Sequence, residues 1–304
     1  MRLIIPSLVG GANTVVNVPT ERSVSINMSE GRGRPFSEQP TSIQQMLTSE
    51  QSRAQLDREE KTALDWFLSA EKRALVVGVG KYDDPRVTQL ENSTGDATAV
   101  AASLGEFINR DNINLYKNVK YYEMQMVLNR MKIEAGRSDI LYFYFSGHYV
   151  NVGRRLFLLC GDSDEHVDAT AVSFDKIKES SLGSRAQQIL IFLDITPEGG
   201  AAHTGLQHDS INRPAISTLD IADRQIGIIA GGQNGWRSTY LGHSIFTYFL
   251  LRGLRGDAAR NGVVTFGGLA SYVQEALIRE TLGNVMPVSI VRRTSVSDLV
   301  VAVR

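Results

Sequence analysis

The stretch Asp139-Ile140-Leu141-Tyr142-Phe143-Tyr144-Phe145, closing on Ser146-Gly147-His148-Tyr149, decides the fold. Its aromatic and β-branched side chains predict a buried central strand, and the serine, glycine and histidine that follow give that strand a polar tip. Working outward, the same pattern recurs. Ala74-Leu75-Val76-Val77-Gly78-Val79-Gly80 precedes it; Ile189-Leu190-Ile191-Phe192-Leu193-Asp194 and Ile226-Gly227-Ile228-Ile229-Ala230 follow. Between and after these runs lie segments of helical period. Asp96 to Phe107 sets Ala97, Val100, Ala101, Leu104 and Phe107 on one face, and further helices are expected near 124–133, 173–181, 244–254 and 268–279. Ser173 stands where an N-cap is needed. Short strands are expected near 113–116 and 156–159, with a terminal one over 296–303. Apolar runs alternating with helices are the rhythm of an α/β fold whose mostly parallel sheet is covered on both faces.

Ahead of this unit the composition changes. Residues 9–41 are rich in Gly, Ser, Asn, Pro and Arg and read as an extended arm, with short strands over 14–18 and 23–27. Glu50 to Ala70 lacks Gly and Pro and reads as a helix. The organisation expected is an arm over 1–48, a connecting helix over 49–72 and one domain over 73–304. A net charge of −1 supplies no basic field for nucleic acid. No run approaches the roughly 20 apolar residues of a membrane span, and the first apolar run is broken at Pro6 and Ser7, too early for a secretion signal. Cys160 is the only cysteine, which excludes an intramolecular disulfide and multi-cysteine zinc sites and fits a reducing, cytoplasmic setting. No cofactor is expected. His203, His208 and Asp209 fit no metal spacing, and Gly78-Val79-Gly80-Lys81 lacks the spacing of a phosphate loop.

Ligands of an open parallel sheet gather beyond the carboxyl ends of its strands. Two such ends carry chemistry: Ser146-Gly147-His148-Tyr149 and Asp194-Ile195-Thr196-Pro197-Glu198-Gly199-Gly200. A histidine and a hydroxyl on strand ends are the parts of a base and a nucleophile. At these residues the chain resembles the caspase and metacaspase family in its bacterial form. The family's opening strand, glycine and tyrosine are matched by Ala74 to Gly80 and Tyr82, its leucine by Leu90, its Asp-Ala pair by Asp96-Ala97, and its aromatic strand with Ser-Gly-His by Asp139 to His148. The closing part is matched by Gly242-His243-Ser244-Ile245-Phe246-Thr247, Leu250-Leu251, Gly253-Leu254, Gly256 and Val264-Thr265. The resemblance spans about three quarters of the chain. It implies a caspase-like three-layer α/β/α sandwich, with His148 as catalytic base and, around Asp194, a pocket for a basic substrate side chain.

The departures fall on the chemistry. Where the family has Leu-Asp-x-Cys, this chain has Leu193-Asp194-Ile195-Thr196, so the nucleophilic cysteine is replaced. A threonine hydroxyl is far less acidic than a thiol, and known threonine nucleophiles use a chain-terminal amine as base. Pro197 removes a backbone N–H beside that position. Tyr149 replaces the glycine that follows the family histidine and is expected to fill part of the cleft. Glu198 adds negative charge where an oxyanion would form. Cys160, on another strand, reads as a buried, inert thiol. Asp194 reads equally as a basic-peptide pocket or as a brace for its strand end. Gly147, Tyr149, Asp194 and Glu198 are the expected lining of the substrate cleft, and His148 and Thr196 the vestigial dyad.

Two functions follow from this reading. One is a pseudoprotease that serves as a binding or scaffolding module for a protein or peptide, with assembly into a homo-oligomer or larger complex through the arm. The other is an Arg- or Lys-directed endopeptidase that uses Thr196 as nucleophile and His148 as base.

Overall fold

The computed structural model describes residues 43–136, 139–198, 224–231, 239–283, 285–292 and 298–304. The strands expected over 14–18 and 23–27, and His203, His208 and Asp209, lie outside them. Residues 49–304 form one compact unit. The first helix, α1 (Ile43–Ser69), begins earlier than its composition suggested, and its end carries Phe67 and Ala70 into the core.

The main sheet is built from β1 (Lys72–Gly78), β2 (Ile113–Lys117), β3 (Ile140–Val152), β4 (Arg155–Leu159), β5 (Ala171–Ser173), β6 (Gln188–Pro197), β7 (Gln225–Gly231) and β12 (Val288–Arg292). Its order is β12-β7-β6-β3-β1-β2, with β4 and β5 branching from the far half of β3. The pairs β2/β1, β1/β3, β3/β6 and β6/β7 are parallel, whereas β12 and the β4–β5 branch run antiparallel. The chain leaves β1 toward β2 and returns on the other side of it as β3. The strand order therefore reverses beside β1 and β3, where an α/β sheet opens a crevice.

Side-chain alternation along β3 makes the three layers. Leu141, Phe143 and Phe145 pack with α3 (Tyr121–Glu134) and α5 (Phe174–Gly183) through Met124, Leu128, Met131 and Ile177. Tyr142 and Tyr144 face the other way, toward α2 (Ser93–Leu104), α6 (Ile245–Arg252) and α7 (Phe266–Glu280), among Val100, Leu104, Phe246, Leu250 and Val273. Each fully buried aromatic or aliphatic side chain contributes about 1.5–3 kcal/mol, so a strand with two apolar faces anchors both layers. The two tyrosines reach partners: Tyr142 Oη donates to the Val301 carbonyl at 2.6 Å and Tyr144 Oη bonds Thr247 Oγ1 at 2.6 Å. Gly78 lets α2 approach β1, because a Cβ there would lie 2.4 Å from the Ser93 carbonyl oxygen. A one-turn helix, α4 (Val167–Thr170), precedes β5.

The expected helices are present, capped by Ser173 over Lys176 N–H, Ser244 over Thr247 N–H and Thr265 over Gly268 N–H. Two features go beyond the sequence reading. The terminal strand, β13 (Val300–Val303), pairs with β11 (Val263–Thr265) in a small antiparallel sheet with β10 (Ala259–Arg260), not with the main sheet. The edge strand β12 carried no clear period in the sequence and owes its conformation to pairing with β7. A two-residue hairpin, β8 (Thr239–Tyr240) and β9 (His243–Ser244), leads into α6.

Candidate active site

The two strands whose polar tips were expected to open into loops remain paired beyond them. β3 and β6 stay in parallel register from Ile140 opposite Gln188 through Ser146 opposite Asp194 and His148 opposite Thr196 to Tyr149 opposite Pro197. Glu198 N–H then donates to the Tyr149 carbonyl at 2.9 Å. Parallel partners share a face, so Ser146, His148, Asp194 and Thr196 project to one side of the sheet, and Gly147, Tyr149 and Ile195 to the other.

His148 and Thr196 are thus brought together, but not as base and nucleophile. His148 is fully buried. Its Nδ1 lies 3.1 Å from the main-chain carbonyl of Thr196, and its Nε2 lies 2.8 Å from the carbonyl of Thr88, in the loop between β1 and α2. A carboxylate oxygen of Glu198 also stands 3.0 Å from Nε2, while the other accepts from Thr88 N–H at 3.2 Å. Both ring nitrogens therefore face carbonyl oxygens, which only accept, and neither points to a hydroxyl. The ring is further fixed by Tyr82, whose Oη donates to the Val79 carbonyl at 3.0 Å and accepts from His148 N–H at 2.9 Å.

Gly147 and Tyr149 serve the opposite face. A Cβ on Gly147 would lie 2.8 Å from the Phe145 ring and 3.3 Å from Tyr82 Oη, so glycine is required by packing. Tyr149 does not fill a cleft beside His148, as its replacement of a glycine had suggested. Its ring is 1% exposed in the core under α3 and α5, and its backbone continues the strand against Leu158 of β4. The reason is period two: one residue beyond His148, the side chain must point the other way. Glu198, expected as an obstacle to an oxyanion, stands over His148 itself.

Asp194 lies on the His148 face, inside a buried polar cluster. Its Oδ2 accepts from the hydroxyls of Ser244 and Thr247, the latter at 2.6 Å, and more distantly from Ser146 and Tyr144, each at 3.5 Å. Ser244 Oγ also caps α6. Asp194 thereby ties the end of β6 to the start of α6, the bracing alternative for this residue. Asp96 on α2 adds a second buried carboxylate, accepting from Ser244 N–H at 3.1 Å and meeting His243 Nδ1 at 2.7 Å. Burial, and then the charge of Asp194, push Asp96 up to about 8, although hydrogen bonds from Ser244 oppose the shift. Burial likewise raises Asp194 above the usual carboxylate range against the pull of Ser244, Thr247, Ser146 and Tyr144. Burial and the nearby Arg255 hold His243 below its ordinary value, with Asp194 pulling the other way.

With this geometry in hand, the comparisons with known proteins bear on one domain. The family model described as caspase domain, of the C14 peptidases, matches residues 71–277. The chain belongs to the caspase-domain family. Among solved structures it is similar to protein GSU0716 from Geobacter sulfurreducens, at 15% identity and a TM-score of 0.53, covering 74% of this chain and 94% of that one. At that identity the likeness speaks for the fold. No curated protein sequence matches the chain.

In this caspase domain the single thiol packs in the core layer under α3 and α5. Cys160 follows β4, is 1% exposed and forms no disulfide; burial, and then Asp162, push its thiol well above the ordinary range. Sequence reasoning missed Thr88, Tyr82, His243 and Thr247 as members of the two polar clusters. Asp96, Tyr82, His243 and Thr247 did stand in the matched family segments, so a signal existed for them; Thr88 carried none, because it acts through its backbone. Among the described residues no group of three His, Cys, Asp or Glu is placed to hold a metal, and no helix is long and apolar enough to cross a membrane.

Proposed function

We propose that this caspase domain is a pseudoprotease, a fold retained for binding or scaffolding a protein or peptide rather than for hydrolysis. The observation that carries the reading is the engagement of both nitrogens of His148 by the Thr196 and Thr88 carbonyls, with Glu198 alongside. A general base needs a nitrogen lone pair within reach of the proton it removes. Here neither nitrogen is open. The residue in the nucleophile's place turns its carbonyl, not its hydroxyl, to the imidazole, and Pro197 supplies no N–H for an oxyanion. Asp194, inside its ring of hydroxyls, supports a brace more than a basic-peptide pocket. The partner is assigned to the arm, whose composition offers too little apolar surface for a core of its own.

Incubation of the full-length protein with an Arg- and Lys-containing peptide library tests the chemistry. The expected result is no cleavage above background, identical for wild type and His148→Ala, and no labelling by a fluorophosphonate. Efficient cleavage lost in His148→Ala would overturn the proposal in favour of a Thr196-dependent endopeptidase. For the binding role, deletion of residues 1–41 is expected to shift the size-exclusion profile of the native complex, and an unchanged profile counts against the arm.

A further inference from the structure

At the opposite end of the sheet, α1 passes the first residues of β6, β7 and β13 and leaves a cavity of about 340 Å³ beside them. That volume falls in the range of small-molecule sites, roughly 300–1,000 Å³. Ala63 and Trp66 of α1, with Leu299 and Val300, supply apolar wall, and the described lining holds no Lys or Arg. Its two carboxylates are engaged elsewhere. Glu59 Oε1 accepts from Gln55 Nε2 at 3.2 Å and its Oε2 is sealed from solvent, while Asp298 accepts from Gly267 N–H at 2.7 Å and from Leu299 N–H at 2.9 Å. Gln188 is the member that points to a ligand. It is 1% exposed, and its Nε2 donates to the Val300 carbonyl at 2.7 Å. A carbonyl only accepts, so that contact fixes which end of the carboxamide is nitrogen and leaves the oxygen free to face the cavity. Gln188 Oε1 meets no donor among the described residues, yet unlike Glu59 Oε2 it is not sealed off. A largely buried amide oxygen without a donor is costly, and an N–H that reaches it restores the missing bond.

We propose that this cavity binds a neutral, planar heteroaromatic ring carrying an N–H donor, the chemistry of a free nucleoside. An exocyclic amine donates to Gln188 Oε1, and the ring stacks against the Trp66 indole, a contact that flat heterocycles make whatever their identity. Leu299, Val300 and Ala63 cover the rest of the ring. The absence of Lys and Arg from the described lining sets the charge class: a phosphate would enter without a counter-charge, so the uncharged nucleoside is preferred over the nucleotide. The inference stands apart from the proposal for His148, which lies at the other end of β3.

Isothermal titration of the full-length protein with adenosine and cytidine, with their counterparts dimethylated on the exocyclic nitrogen, and with their monophosphates tests it. At least one nucleoside is expected to bind, its dimethylated counterpart more weakly because the ring is kept and the donor lost, and its monophosphate no more tightly. Trp66→Leu is expected to weaken the nucleoside by roughly tenfold, the loss of a stacking face. Gln188→Met, of similar shape but without the acceptor, is expected to weaken it by roughly fivefold and to abolish the preference for the unmethylated amine. If Gln188→Met does not fold, the dimethylated ligand and Trp66→Leu carry the same test. Absence of binding by both nucleosides, equal binding of the dimethylated ring to the wild type, a monophosphate bound roughly tenfold more tightly, or unchanged affinity in Trp66→Leu would overturn the proposal.

Discussion

The two ends of the central strands differ in how their polar groups are met. At the carboxyl ends, where the family places its chemistry, His148 meets two backbone carbonyls and Glu198, and Asp194 meets the hydroxyls of Ser244 and Thr247. At the amino ends, where the fold family suggests nothing, a sheltered oxygen of Glu59 has no donor. A site ready to bind or react keeps a group unmet; a site turned to structure closes its hydrogen bonds internally. The difference argues that polar groups at the first end help hold the fold together.

Asp194 tests the structural half most severely. Asp194→Ala removes one acceptor from four hydroxyls, those of Ser244, Thr247, Ser146 and Tyr144. The expected loss is about 3 kcal/mol or more, read as a lowered midpoint in urea unfolding; a loss below about 1 kcal/mol would break the claim that this end is held by the cluster.

The next effect concerns Glu198. Glu198→Ala removes the carboxylate beside His148 Nε2 and the acceptor of Thr88 N–H, freeing the loop whose carbonyl covers the same nitrogen; it is expected to cost about 1–2 kcal/mol and to turn His148 from resistant to reactive toward diethylpyrocarbonate, followed by mass spectrometry. Equal reactivity in the wild type would mean that the imidazole is already accessible.

Stability should also depend on pH. Asp96 is raised to about 8 in the folded chain from an ordinary 3.8, so the native state holds that proton more tightly than the unfolded state does. The contribution is complete below the unfolded value and is lost as pH rises through about 8. His243, held below its ordinary 6.5, acts in the opposite sense, with stability lost as pH falls through that region. Melting temperatures measured from about pH 7 to pH 9 are therefore expected to fall in the wild type and to fall less in Asp96→Asn. Parallel profiles would show that Asp96 ionises freely.

The smallest effects sharpen the comparison from both sides. Thr196→Cys places a thiol back at the nucleophile position, yet peptide cleavage should stay at background because the imidazole remains engaged. Glu59→Gln exchanges one buried group that meets no partner for another and should change stability by no more than about 0.5 kcal/mol.

Much of this was legible in the residues. Apolar runs such as Ile140–Phe145 and Ile189–Leu193 announce buried strands because burial on both faces demands continuous hydrophobicity, and Ser173, Ser244 and Thr265 announce helix starts because a cap is local chemistry. Thr196, with Pro197 and Glu198 after it, was equally plain at the tip of its strand. The sequence could not say that β3 and β6 continue past their polar tips, nor that Tyr149 turns to the other face, because both depend on register between separate strands. It could not name the partners of His148 either: Thr196 and Thr88 lie 48 and 60 residues away and contribute backbone carbonyls, which every residue possesses. By itself, then, the sequence determined the layers and which polar residues stand at the tips of β3 and β6, since hydrophobic period and residue identity are local properties. The tertiary structure alone decided that His148 is closed off, that Asp194 braces α6 and that Glu59 Oε2 is left without a donor, since a hydrogen bond is a relation between positions that only folding brings within reach.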